Sequence, residues 1–311
     1  MDIRVLITRI LLLFLMILPG FVLRKRWMLS AEASKGMSNL VLYVAQPALI
    51  VASFLRPFDM EILKNALGVF VFAFLTNGFG CAAVLLLFKK APERRRQVLR
   101  FSVAFANVLF MGLPVVTGVF GPDAAIYASV YTLWFNIFVW SVGAMFYTGD
   151  KSYISAKHMF LNPSSLAAFA GILLFVTGAQ PYVPQVICDG LDMLGGVVAP
   201  LSMIVIGIRF AEVDLKSIFN DKYMYIFSAY RLIGGPVAAF VFLKLAELLF
   251  GYHNEMVTFI IIVLCSTPTA SITGMFAEKF NADAAYASKC VSVNTVFSLI
   301  TMPLMALLAM V

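Results

Sequence analysis

The chain has 311 residues, of which 62% are hydrophobic and 13% charged, with a formal net charge of +7. Soluble domains are roughly 45–50% apolar and about 25% charged, so the composition excludes a water-soluble protein and leaves an integral membrane protein. The positive charge sits in short runs between apolar segments, a distribution that argues against nucleic acid as a partner.

The first apolar run, residues 4–23, superficially looks like a signal peptide. It is long, no small-residue cleavage site follows, and Arg24, Lys25 and Arg26 close it, so it reads as a retained helix. Further apolar runs lie at 36–56, 62–88, 98–120, 122–147, 164–180, 187–210, 223–250, 256–280 and 282–310. At roughly 20 residues per span, the expected fold is all-α with ten transmembrane helices. Arg24, Lys25, Arg26 and Lys35 lie in the first link, and Lys89, Lys90, Arg94, Arg95, Arg96 and Arg100 in the third. Even-numbered links, such as Gly121-Pro122-Asp123 and the stretch 180–185, carry few or none. The positive-inside rule then predicts a multi-pass protein of the plasma, or inner, membrane with both termini outside. Cys81, Cys188, Cys265 and Cys290 are scattered in apolar stretches, without the spacing of a disulfide framework or a metal site.

An internal repeat organises these runs. Aligning "QPALIVASFLRPFDMEIL", from Gln46, with "APLSMIVIGIRFAEVDLKSI", from Ala199, matches Pro47 with Pro200, Arg56 with Arg209, Asp59 with Glu212 and Glu61 with Asp214, at a spacing of 153 residues. Later, "PDAAIYAS" from Pro122 matches "ADAAYAS" from Ala282, and Pro114 corresponds to Pro268 at a spacing of 154. Two five-helix units are expected, residues 1–150 and 151–311. Five is odd, so the second unit enters the membrane from the opposite side and the repeat is inverted.

The fourth and ninth runs carry helix breakers in their interiors: Gly112 and Pro114 in one, Pro268 flanked by Ser266, Thr267 and Thr269 in the other. A proline removes a helical hydrogen bond, and freed backbone in hydrocarbon is tolerated where it lines a cavity or is buried in protein. Paired breaks in inverted halves would face each other near the midplane and offer half-helix N-termini to an anion. Asn107 lies close to the first break. Asn77 and Arg231 stand 154 residues apart, the spacing of the two prolines, and are expected to approach the same place. Asn136 and Asn294 are further candidates, with plain helix–helix hydrogen bonding as the alternative role. All sixteen Asp and Glu lie in links or near the ends of runs, so no buried carboxylate relay is visible. No HExxH helix or pair of intramembrane aspartates is present, so no enzyme, no catalytic residue, no metal and no cofactor is expected.

The stretch "ANVLFMGLPVVTGVFGPDAAIYAS" from Ala106, followed by Asn136 and Gly143, resembles the signature of the auxin efflux carrier family, which includes bacterial transporters and plant auxin exporters. "YRLIGGPVAAF" from Tyr230 and "STPTASITGMFAEKFNADAAYAS" with Thr295 and Ser298 are similar to its later motifs, and the likeness covers essentially the whole chain. The resemblance implies two inverted five-helix repeats, a scaffold of helices 1, 2, 6 and 7, and a transport domain of helices 3–5 and 8–10 whose fourth and ninth helices cross at their breaks. It implies export of a small organic anion, auxin-like or a dicarboxylate, by elevator-type alternating access. A membrane receptor or sensor that binds such an anion without moving it is the alternative. Expected partners are the anion, membrane lipid and a second copy across the scaffold. The long cytoplasmic loop of many plant members is lacking, so regulation by loop phosphorylation does not carry over.

Overall fold

The structure, a computed structural model, describes residues 3–212 and 221–309; Asp214 of the sequence repeat lies outside the described residues. Every element among the described residues is helical, and extended segments pair in one isolated antiparallel bridge, Ala106 with Thr269. Six helices are long and apolar enough to cross a membrane: α3 (Glu32–Phe54), α4 (Met60–Leu86), α7 (Pro122–Thr148), α9 (Gln185–Ala211), α10 (Lys222–Phe250) and α13 (Ala284–Leu308). The first run bends at Met16 into α1 (Ile3–Leu15) and α2 (Ile17–Lys25), and the sixth becomes the 14-residue α8 (Pro163–Val176). The fourth and ninth runs are interrupted, giving α5 (Glu93–Ala104) with α6 (Val108–Phe120), and α11 (Glu255–Ser266) with α12 (Ile272–Lys279).

Local chemistry explains the helix starts. Helices that begin in the links are closed by side chains accepting from their first turn: Ser30, Asp59, Asn162, Asp221, Asn254 and Asp283 cap α3, α4, α8, α10, α11 and α13. Helices α5, α7 and α9 instead begin at Pro92, Pro122 and Pro184, exposed positions where water reaches the free N–H groups.

Proline also shapes the helix interiors. Three of the four π turns among the described residues, Val41–Ala45, Val108–Gly112 and Tyr230–Gly234, end two residues before a proline, Pro47, Pro114 and Pro236, while the fourth, Val139–Gly143, has none. A proline ring clashes with the carbonyl four residues back and offers it no N–H, and the wider turn relieves that clash.

Two kinds of helix packing recur. Helices α2, α3, α8 and α9 approach by glycine: a Cβ at Gly20 would sit 2.1 Å from Ile204 O, one at Gly207 2.0 Å from Ile17 O, and one at Gly171 2.4 Å from the Phe54 ring. Small residues let backbones touch where lipid supplies no hydrophobic drive. Elsewhere, α4 packs on α7 through Phe70, Phe74, Trp134 and Phe138, while α10 and α13 pack against α11, and α13 also against α12. Outward faces keep large exposed apolar side chains, such as Leu15, Leu173, Leu248 and Leu304, the surface that lipid requires.

Candidate functional site

The two interrupted helices cross where both are broken. Phe105, Ala106 and Asn107 run extended against Pro268, Thr269 and Ala270: Asn107 N donates to Pro268 O (2.7 Å) and Ala270 N to Phe105 O (2.9 Å). This two-rung ladder satisfies backbone groups that would otherwise be orphaned in a buried place. Residues 101–108 and 261–270 are all buried.

The first break therefore lies upstream of its proline. Ala106 faces Thr269, a spacing of 163 residues, so Pro114 and Pro268 do not occupy matching positions in the crossing. Pro268 sits within the second break, whereas Pro114 lies in the first turn of the α-helical segment Leu113–Phe120, just after the π turn. There its missing N–H leaves Leu109 O open, and Gln46 Nε2 of α3 fills it at 2.7 Å. Gln46 is fully buried and its Oε1 has no protein partner. Only the folded chain exposes this role, because the signal is a carbonyl 63 residues away. Gly112 serves close approach: a Cβ there would come 2.7 Å from Leu264 Cδ2.

Four helix ends meet at the crossing, and they are treated differently. The C-terminal carbonyls of α11 are covered: Ser266 Oγ donates to Val263 O (2.7 Å), Thr267 Oγ1 to Leu264 O (2.8 Å), and Arg231 Nη2 to Cys265 O. The same guanidinium reaches the end of α5, where Nη1 donates to Val103 O (3.0 Å). The N-termini of α6 and α12 carry no side-chain cap. Asn107 Nδ2 donates to Ser271 Oγ (3.2 Å), tying the two open ends together. Asn294 of α13 accepts from Thr269 N through Oδ1 (2.8 Å), which fixes its amide orientation and leaves Nδ2 as the free end. Asn294 Nδ2 and Thr269 Oγ1 are buried at the crossing without a protein partner, two of the several such side-chain atoms in the protein.

The structure thus gathers Asn107, Gly112, Arg231, Ser266, Thr267, Pro268, Thr269 and Asn294, and adds Gln46 and Ser271. Asn77 Nδ2 bonds back to Ala73 O on its own helix (2.8 Å). Asn136 Nδ2 ties α7 to the start of α8 through Asn162 Oδ1 (3.2 Å) and Ser165 Oγ (3.0 Å). Among the described residues Arg231 is the one charged side chain that is fully buried. In the links, His158 stacks on Trp140 with ring centroids 4.4 Å apart, and burial, then Lys279 and Lys157, hold its imidazole below the usual range. A cavity of about 680 Å³ lies away from the crossing, at the starts of α10 and α13, lined by Arg95, Asp221, Asp283 and Lys289 among others.

A multi-pass helical membrane protein whose buried polar groups converge on one helix crossing has the make-up of a membrane transport protein. Comparison with known sequences agrees: the model of the family described as membrane transport protein matches residues 5–157 and 152–306. The chain belongs to that family, the auxin efflux carrier family that its motifs resemble. It is 26% identical over 305 residues to an uncharacterized transporter of Methanocaldococcus jannaschii, covering 95% of this chain and 96% of the relative. It is 25% identical over 301 residues to an uncharacterized transporter of Methanothermobacter thermautotrophicus, covering 95% of each.

Proposed function

We propose that this protein is a secondary carrier or uniporter for a small organic anion, a mono- or dicarboxylate, held at the crossing between the N-termini of α6 and α12. The observation that carries the reading is the pair of uncapped helix N-termini, that of α6 buried and that of α12 half-buried, beside the free amide of Asn294. Each such end presents unpaired N–H groups and about half a positive charge, which suits a carboxylate. No Asp or Glu is fully buried among the described residues, so nothing of like charge competes for the site. An exporter of this kind runs on membrane potential: one negative charge moving outward across about 100 mV releases about 2.3 kcal/mol.

In this reading the chain forms ten spans in two inverted five-helix units, with helices 1, 2, 6 and 7 as scaffold and the rest as a moving transport domain. An asymmetry between related ion pairs supports alternating access. Arg56, just past the end of α3, pairs with Asp123 at the start of α7. Their repeat equivalents are apart: Arg209 lies over the Phe110 ring at 6.0 Å, and Asp283 takes Arg95 at 3.4 Å. One of two related closures is made, as in one end state of an elevator. A partly exposed ion pair is worth at most about 1 kcal/mol, weak enough to break in every cycle.

Flux tests the reading. Purified protein in liposomes should accumulate labelled aromatic or aliphatic carboxylates when a diffusion potential of the right sign is imposed. Binding without flux across the panel would make the protein a receptor, and neither binding nor flux would remove the anion from the reading.

A further inference from the structure

A crossing of two broken helices has no preferred charge sign by itself. Two N-termini and two C-termini meet there, each end worth about half an elementary charge, and the four nearly cancel. Selectivity for an anion therefore needs something that silences the negative ends. Arg231 sits where it does this: its two terminal nitrogens donate to Val103 O and Cys265 O, in the last turns of α5 and α11, the two helices that point their C-termini into the crossing.

The fold is built to seat that group. Arg231 is on the π turn Tyr230–Gly234, and Gly235 beside it leaves room, since a Cβ there would come 3.3 Å from Nη2 and 3.4 Å from Cys265 O. Its Nε has no protein partner, so the two carbonyls are what hold the fork. With no fully buried carboxylate among the described residues, its charge is unopposed by any like-buried acid. One full positive charge against two half-negative ends leaves the half-positive ends of α6 and α12 in command of the site.

We infer that Arg231 determines the charge sign of the substrate, selecting anions over neutral isosteres by covering the C-termini of α5 and α11 rather than by gripping the substrate. The inference rests on the anion site proposed above. It differs from a purely structural role, which would weaken every ligand alike, because it moves a ratio.

The test measures binding of phenylacetate and malonate against phenylacetamide and malonamide, in wild type, Arg231→Gln and Arg231→Lys, with thermal unfolding as the fold control. A unit charge several ångströms away, at an effective dielectric of about 20, changes affinity on the order of 10- to 100-fold. Arg231→Gln should lose the carboxylate preference by about that factor while amide binding stays within a fewfold of wild type. Arg231→Lys, which keeps the charge without the fork, should retain most of the preference. If the Gln variant does not fold, Gly235→Ala is read in its place: it crowds the guanidinium, and the preference should drop measurably. A wild-type preference that survives unchanged in Arg231→Gln, or in Gly235→Ala when that is the variant read, overturns the inference and leaves the anion site standing. A wild type without any carboxylate preference overturns both.

Discussion

Helix N-termini in the links and helix N-termini at the crossing obey opposite rules. In the links the ends are either capped, as where Asp59 accepts from Glu61 N at 2.7 Å and Asn254 from Val257 N at 3.0 Å, or, at α5, α7 and α9, start beside an exposed proline. At the crossing, α6 begins in a buried place, where an open N–H is expensive, and α12 in a half-buried one, and both begin without any such acceptor. The C-termini beside them are sealed by Ser266, Thr267 and Arg231. Uncapped N-termini beside C-termini whose carbonyls are taken by side chains are the contrast on which the proposed anion site rests.

The largest expected effect comes from making a crossing end behave like a link end. Ser271→Asp places a carboxylate at the N-cap of α12, where it would serve as a permanent internal anion. Carboxylate flux in liposomes should fall to background while the unfolding temperature is unchanged or higher, since an Asp N-cap contributes about 1 kcal/mol. Undiminished flux would show that the open end is not the seat of the substrate.

A smaller effect is expected at the π turn that leads out of the open end of α6. Pro114→Ala supplies an N–H and removes the ring clash, so the turn can tighten to α geometry, with residue 114 donating to Phe110 O and the contact of Gln46 with Leu109 O disturbed. The protein should fold, with transport slowed several-fold through altered spacing of α6 and α3. Wild-type kinetics would reduce the proline to a bend without consequence.

The smallest effect belongs to the closed ends. Asp59→Ala removes an exposed cap from α4 and should cost about 1 kcal/mol of stability, read as a lower unfolding temperature, with substrate affinity unchanged. If affinity moved as well, the separation between closed structural ends and open functional ends would fail.

Much of this was readable from residue order alone. Apolar run length depends on a single segment and its solvent, so it was enough to indicate a helical membrane protein and roughly where most of its helices lie. Asn107, Pro268, Thr269 and Arg231 stood out because polar or helix-breaking residues inside apolar runs are costly without a purpose. Their roles needed the tertiary structure. Residue spacing aligned Pro114 with Pro268, yet the ladder between Phe105–Asn107 and Pro268–Ala270 sets a different register, because backbone hydrogen bonding between distant segments decides which residues face each other. Arg231 carries the same charge in either description; which carbonyls it covers depends on three helices arriving at one point. Gln46 gave no signal of its own, since the acceptor it fills exists only after Pro114 has opened the turn and α3 has packed beside it. Local chemistry sets the elements, and the pairing of distant backbone groups, which no single segment encodes, decides the site.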